Sequence, residues 1–433
     1  MTPASRTSFF FKLVLPGIVL CVLGSVVFNL VQNDELLTTL KNLRDHQNSF
    51  QIRLSEEAGQ DNNGIGAHGE LRLVAHGKLG FSSDETSVAS LSDNATIEEK
   101  RGSQYWRVDF SLDENKHIVQ NFSYNGRQHA ADAQARRWLA GVIPILLRES
   151  GNHAKTRVAS LLTRGGADMV LNEIDLIRSS HSRAKYGIAL VSQVQLEPKQ
   201  IQRLLAFTSK MNDSYETSRL LKAVITKQNL DASSQVELLK QSANIQSDFE
   251  HAALLQHAMP KLVDNDTVLQ AWLGSIQTIE SDFEIRHTIE AIGGRDATSE
   301  ALIATALQAS NQINSDFERR SALEFLAGHI QHNEPKLIQA YLASCKGIDS
   351  DFERRSALVT IINGTTLANA EWSAVFDAMQ GMGSDFEVRE VLQTIAKHLP
   401  NDPQLQQRYH KTAAQLGDFE RDKAERALLA RQT

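Results

Sequence analysis

Ser315-Asp316-Phe317-Glu318-Arg319-Arg320-Ser321-Ala322-Leu323 decides the fold, because close copies of it return at near-constant spacing through the C-terminal half. The core of the stretch recurs as Ser247-Asp248-Phe249-Glu250, Ser281-Asp282-Phe283-Glu284, Ser350-Asp351-Phe352-Glu353 and Ser384-Asp385-Phe386-Glu387. Weaker copies flank these at Asp213-Ser214-Tyr215-Glu216 and Gly417-Asp418-Phe419-Glu420, with a decayed one at Ser179-Ser180-His181. The aromatic or its stand-in falls at 181, 215, 249, 283, 317, 352, 386 and 419, so the intervals are 34, 34, 34, 34, 35, 34 and 33 residues. A self-similar period in this range is the signature of stacked structural repeats.

Ser followed three residues later by Glu, ahead of an apolar run, predicts a capping box. The Ser oxygen accepts an orphan N–H of the first turn, and the Glu carboxylate reaches back to the Ser N–H. The capping residues are thus Ser247 and Glu250, Ser281 and Glu284, Ser315 and Glu318, Ser350 and Glu353, and Ser384 and Glu387. Asp in the first turn adds a favourable charge at the positive end of the helix dipole. After the cap, Leu323, Leu326 and Ile330 fall at helical spacing, as do Leu358, Ile361 and Ile362 in the next unit. A second helical pattern then begins at Glu334-Pro335-Lys336-Leu337, echoed at Glu197-Pro198-Lys199; Pro335, Pro198 and Pro403 suit the first helical position, where no N–H is needed. One helix pair cannot bury its own apolar stripe, so neighbouring pairs must stack into an α-solenoid.

Five residues after four of the caps stands an arginine: Arg286, Arg320, Arg355 and Arg389. Stacking is expected to bring these beside the Asp or Glu of an adjacent unit. Asp282, Asp316, Asp351 and Asp385 with the four arginines form either a structural ladder of inter-repeat ion pairs or, with the guanidinium groups unpaired, an anion- or peptide-binding groove. The repeated Phe is expected to wedge between units.

The 433 residues carry a net charge of -7 and two cysteines, Cys21 and Cys345, which excludes a disulfide framework and argues against nucleic acid as the main partner. Leu13 to Val31 is apolar apart from Asn29, follows Arg6 and Lys12, and at 19 residues is long enough to span a bilayer. It is expected to be an uncleaved signal anchor, with the N-terminus in the cytoplasm and the bulk of a single-pass inner-membrane protein in the periplasm. Beyond it, period-two alternation at Phe50–Leu54, Glu70–Val74 and Trp106–Phe110, then Ile118 to Tyr124 and the turn at Asn125-Gly126, predicts an antiparallel β region. The fold class is therefore α+β, mostly α. Its expected order is cytoplasmic residues 1–12, transmembrane helix 13–31, stalk 32–47, β region 48–130, a helical closing and capping segment 131–178 that includes the Trp138 helix, and solenoid repeats 179–433.

The chain resembles α-solenoid repeat proteins of the HEAT and TPR kind over roughly residues 150–433. Its Ser-Asp-Phe-Glu-Arg-Arg repeats also look like those of a group of bacterial membrane-anchored proteins of uncharacterised function, which carry serial Ser-Asp-Tyr/Phe-Glu repeats after a β region similar to Val88–Arg127. The resemblance implies a membrane-anchored repeat protein and brings no activity with it.

Catalytic signals are thin. Gly64, Gly66 and Gly69 match a dinucleotide fingerprint in letters, but they follow a polar loop and lead into a strand, where a phosphate-binding loop must follow a strand and open a helix. His287 and Glu290 lack a second His for a zinc-binding helix, and His68, His76, His117 and His129 share no predicted face. No catalytic, cofactor-binding or metal-ligating residue is assigned, and no cofactor. The expected function is a non-enzymatic, membrane-anchored scaffold for a partner protein. A lipid or apolar-ligand carrier using the β region and the Trp138 helix is the alternative, and a metal-dependent hydrolase using the β-region histidines comes third.

Overall fold

A computed structural model describes residues 49–55, 69–331 and 334–432. The chain divides into two compact units, one up to Ser150 and one from Gly151 onward.

In the first unit, a six-stranded antiparallel sheet has the order β1-β2-β5-β6-β7-β8, with β1 Ser49–Ser55, β2 Gly69–His76, β5 Asn94–Arg101, β6 Gln104–Leu112, β7 Ile118–Tyr124 and β8 Arg127–His129. The short pair β3 Leu79–Phe81 and β4 Val88–Leu91 is inserted between β2 and β5. Register places Leu73 opposite Ile97, Ile97 opposite Val108 and Val108 opposite Phe122, so one apolar row crosses four strands. This face packs on helix α1, Ala133–Ser150, through Leu139, Val142, Ile143 and Leu146. The opposite face is polar: Tyr105 donates to Glu98 at 2.6 Å, and Arg107 pairs with Asp109 at 2.7 Å. Asn125 and Gly126 both have positive φ, 49° and 78°, as a two-residue hairpin turn requires.

Four strands are missing from the sequence reading, the short β3, β4 and β8 and the eight-residue β5. The alternation of β5, Ala95, Ile97, Glu99, is broken in letters by a glutamate on the buried face. Tertiary contacts satisfy that carboxylate: Trp138 Nε1 donates to it at 2.9 Å and Arg101 Nε at 2.8 Å, and Trp138 stacks on Trp106 with ring centroids 5.5 Å apart. A buried charge is tolerable when it is paired and hydrogen-bonded.

The second unit is a tandem helical repeat. Helix α2, Ala154–Asp175, is kinked at Gly165 and Gly166, the latter at φ 68°. After it, first helices α3 (Ser180–Gln193), α5 (Ser214–Lys227), α7 (Asp248–Ala258), α9 (Asp282–Glu290), α11 (Asp316–Ala327), α13 (Asp351–Gly364), α15 (Asp385–His398) and α17 (Asp418–Gln432) pack side by side in one column. Second helices α4 (Pro198–Ala206), α6 (Ala232–Ser242), α8 (Asp266–Ile276), α10 (Glu300–Ser310), α12 (Pro335–Lys346), α14 (Asn369–Ala378) and α16 (Pro403–Ala413) form another. Leu323, Leu326, Leu358 and Ile361 from the first column and Leu302, Leu337, Ile338 and Tyr341 from the second are all buried in a single continuous core. Each layer thus hides the apolar stripe of the next, which is what holds a repeat array together.

Two expectations are corrected here. Among the described residues, no helix is long and apolar enough to cross a membrane, which overturns the transmembrane element of the fold class and the single-pass inner-membrane placement built on it. Residues 13–31, from which that reading came, lie outside the described residues, as do 1–12 and 32–47. The longest helices, α1 and α2, are amphipathic, with Arg136, Arg137 and Arg148 on α1, and their apolar sides are spent on the protein's own cores. The division at residue 150 falls inside the segment 131–178, with its closing helix α1 in the unit of the sheet and its capping helix α2 in the unit of the repeats.

Candidate interaction surface

Each letter of the repeated motif has a separate task, and two of the four, the aspartate and the glutamate, act across repeats. Ser acts locally: Ser247, Ser281, Ser315, Ser350 and Ser384 accept from the N–H of Glu250, Glu284, Glu318, Glu353 and Glu387, each at 3.4 Å. On the helices begun by Ser281, Ser315, Ser350 and Ser384 the return bond of a capping box is absent because the Ser N–H is claimed from outside. Asp248 accepts from Ser281 N–H, Asp282 from Ser315 and Asp316 from Ser350, at 2.8, 2.8 and 2.7 Å. Asp351 accepts from Ser384 N–H at 2.7 Å, and Asp385 from Gly417 N–H at 2.9 Å. The aspartate of each unit therefore caps the entry of the following helix. Return bonds do form on second helices, where Glu197 N–H donates to Gln200 and Ala368 N–H to Glu371.

Freed from the cap, the glutamate receives an arginine. Arg286 Nε donates to Glu318, Arg320 to Glu353, Arg355 to Glu387 and Arg389 to Glu420. Same-helix acceptors add to this: Arg286 also binds Glu290 at 2.7 Å, and Arg389 binds Gln393 at 2.8 Å. Burial opposes the charged form of Arg286, but the hydrogen bonds it donates to Glu290 and Glu318 outweigh that and hold the guanidinium above its ordinary value; Arg320 is raised in the same way. The guanidinium groups are thus paired rather than presented as an anion-binding groove. Ala252 occupies the column position before Arg286, and there Lys222 approaches Glu250 at 3.8 Å from one repeat further back. The companion arginines serve the loops: Arg319 donates to Asn311, Ile313 and Gly347 carbonyls, and Arg354 to those of Ile348 and Gln380.

The aromatic is where the sequence reading fails. Tyr215, Phe249, Phe283, Phe317, Phe352, Phe386 and Phe419 are not wedges between repeats; they stand 47% to 68% exposed. One face of each ring from Phe283 to Phe386 lies on the arginine three residues later, with Arg286, Arg320, Arg355 and Arg389 at 5.3, 4.9, 4.7 and 4.6 Å from the ring centroids. The wedging role is already filled by Ala322, Leu323 and their equivalents, and the first turn projects its second residue outward. Because first helices pack side by side, the seven rings form a ridge with one aromatic per repeat.

Other candidate positions do not converge. His287 packs against Phe283, His117 lies 3.4 Å from Asp113, and His129 contacts Trp106. His76 ends β2, while His68, Gly64 and Gly66 lie outside the described residues. Among the described residues, no group of three His, Cys, Asp or Glu could hold a metal ion. The space between sheet and α1, where a carrier cavity was expected, is filled by Leu71, Leu73, Ile97, Leu139 and Ile143 at 0–2% exposure.

No family model matches this chain, and no curated protein matches it in sequence. Among solved structures, it is similar to a chain described as "Computational Design of Self-Assembling Cyclic Protein Homooligomers", at 14% identity over 66% of this chain and 90% of that one, with a TM-score of 0.12. A likeness at that level carries no functional argument.

Proposed function

We propose that this protein is a non-enzymatic scaffold that binds another protein along its helical repeats. One observation supports the reading above others: seven large aromatic side chains at the same motif position, one in each of seven successive repeats, are left 47% to 68% exposed. Single exposed apolar residues mean little, but a contiguous exposed row marks an interaction surface. Repeat arrays are suited to this use, since their stability comes from neighbour contacts and the remaining long surfaces are available to a ligand. The ridge is also pre-organised. Four of the rings, Phe283, Phe317, Phe352 and Phe386, are held by an arginine that is fixed by the next repeat's glutamate, so little side-chain entropy is lost there on binding.

Cross-linking of the full-length protein in its own cells, followed by capture, tests this. A scaffold yields one reproducible, stoichiometric protein partner. Recovery of the chain without a protein partner but with stoichiometric extractable lipid would overturn the reading in favour of a carrier.

A further inference from the structure

We infer that the segment of the partner that lies on the aromatic ridge is a basic, extended stretch of polypeptide. The inference rests on the scaffold reading and adds the chemistry of the ligand. Residues 247–390, which span the five complete motifs, contain 22 Asp and Glu against 10 Lys and Arg, a net charge of -12, whereas the whole chain carries -7. The preceding repeats, residues 151–246, have the opposite balance, with 13 Lys and Arg against 8 Asp and Glu. Acidity is thus concentrated where the phenylalanines are.

The arrangement of the charges matters as much as their number. The ridge arginines are already paired with Glu318, Glu353, Glu387 and Glu420, so they offer little to an incoming anion. Glu290, Glu324 and Glu390 share those arginines, Arg286, Arg320 and Arg389, and keep their side chains 31%, 31% and 36% exposed. The rings of Phe283, Phe317, Phe352 and Phe386 each carry an arginine on one face and stay 47% to 53% exposed. A Lys or Arg from a partner would find the negative face of an aromatic ring next to a carboxylate, the pairing that makes cation–π contacts favourable.

Spacing selects an extended ligand. Packed helices stand about 8–10 Å apart, which sets the distance from ring to ring. A polyproline-type chain turns once every three residues, about 9.3 Å at ~3.1 Å per residue. A cation at every third position would therefore meet one ring per repeat.

The test is fluorescence anisotropy of the full-length protein with labelled peptides of repeated Lys-Pro-Pro or Glu-Pro-Pro triplets. The lysine peptide should bind, with affinity falling as salt rises, and the glutamate peptide should not. The combined variant Phe283→Ala, Phe317→Ala and Phe352→Ala should weaken binding at least about tenfold, while the same positions changed to Tyr, the residue already present at 215, should retain it. Circular dichroism melting of both variants confirms that the repeats remain folded. Equal binding of both peptides, or lysine-peptide binding indifferent to loss of the rings, overturns the inference. So does a partner captured from cells equally well by the alanine variant, which would leave the scaffold reading standing; capture of no partner by the native protein would instead remove the scaffold reading itself.

Discussion

Replacing Asp316 with Ala should open the helix of the next repeat and leave its own helix closed. Asp316 accepts from Ser350 N–H at 2.7 Å and from Asp349 N–H at 3.1 Å, both on the following unit. Hydrogen bonds to a charged group contribute about 1.5–3 kcal/mol each when buried. This carboxylate is half-exposed and water replaces part of what is lost, so about 2 kcal/mol in total is the expected cost. In a repeat array that cost falls on the interface between neighbours rather than on the intrinsic stability of one unit. Hydrogen exchange followed by mass spectrometry locates it. Asp316→Ala should raise exchange of the Asp349 and Ser350 amides by about 30-fold, the equivalent of 2 kcal/mol, with exchange across Phe317 to Arg319 little changed. Asp316→Asn, which keeps an acceptor without the charge, should fall between. Glu353→Ala is the decisive comparison. A reciprocal capping box would make Glu353 the acceptor for Ser350 N–H, whereas here that carboxylate binds Arg320. Fast exchange of Ser350 in Glu353→Ala, with protection intact in Asp316→Ala, would refute this division of labour.

Three further outcomes are expected. A double-mutant cycle on Arg320 and Glu353, whose side chains are only 18% and 15% exposed, should give a coupling of about 1–2 kcal/mol, above the range of exposed pairs; no measurable coupling would remove the ladder as a stabilising device. His251 is 1% exposed, donates to or accepts from Ser275 at 2.8 Å, and is pushed by burial from 6.5 down to about 4, against a small opposing pull from Asp248. Because the unfolded state takes up the proton first, stability should be full above pH 6.5 and fall as pH drops toward 4, by up to about 3 kcal/mol; denaturant midpoints across that window should flatten in His251→Gln. Cys345 is fully buried and its thiol is raised well above the ordinary range by burial, so in a Cys21→Ser background a thiol reagent should react only on unfolding; rapid labelling of the native protein would contradict the packing of α12.

How much of this was legible in the letters follows from the range of the forces involved. A serine cap, a proline at the first helical position and an apolar stripe at helical spacing are local, so Ser315, Pro335 and Leu323 announced their helices, and the 34-residue period announced that identical units must stack. The turn at Asn125-Gly126 was legible for the same reason, since positive φ is a property of those two residues. Strand β5 was hidden because Glu99 reads as surface until Trp138, 39 residues away, is seen to donate to it. The same distance effect divides the motif. The serine's bond spans three residues, but the aspartate and glutamate reach partners 31 to 34 residues away. The sequence by itself therefore determined where helices begin and that they repeat, because those choices depend on neighbouring backbone groups. Only the tertiary structure decided which carboxylate serves which donor and left the phenylalanines facing water, because both depend on how one layer is laid against the next.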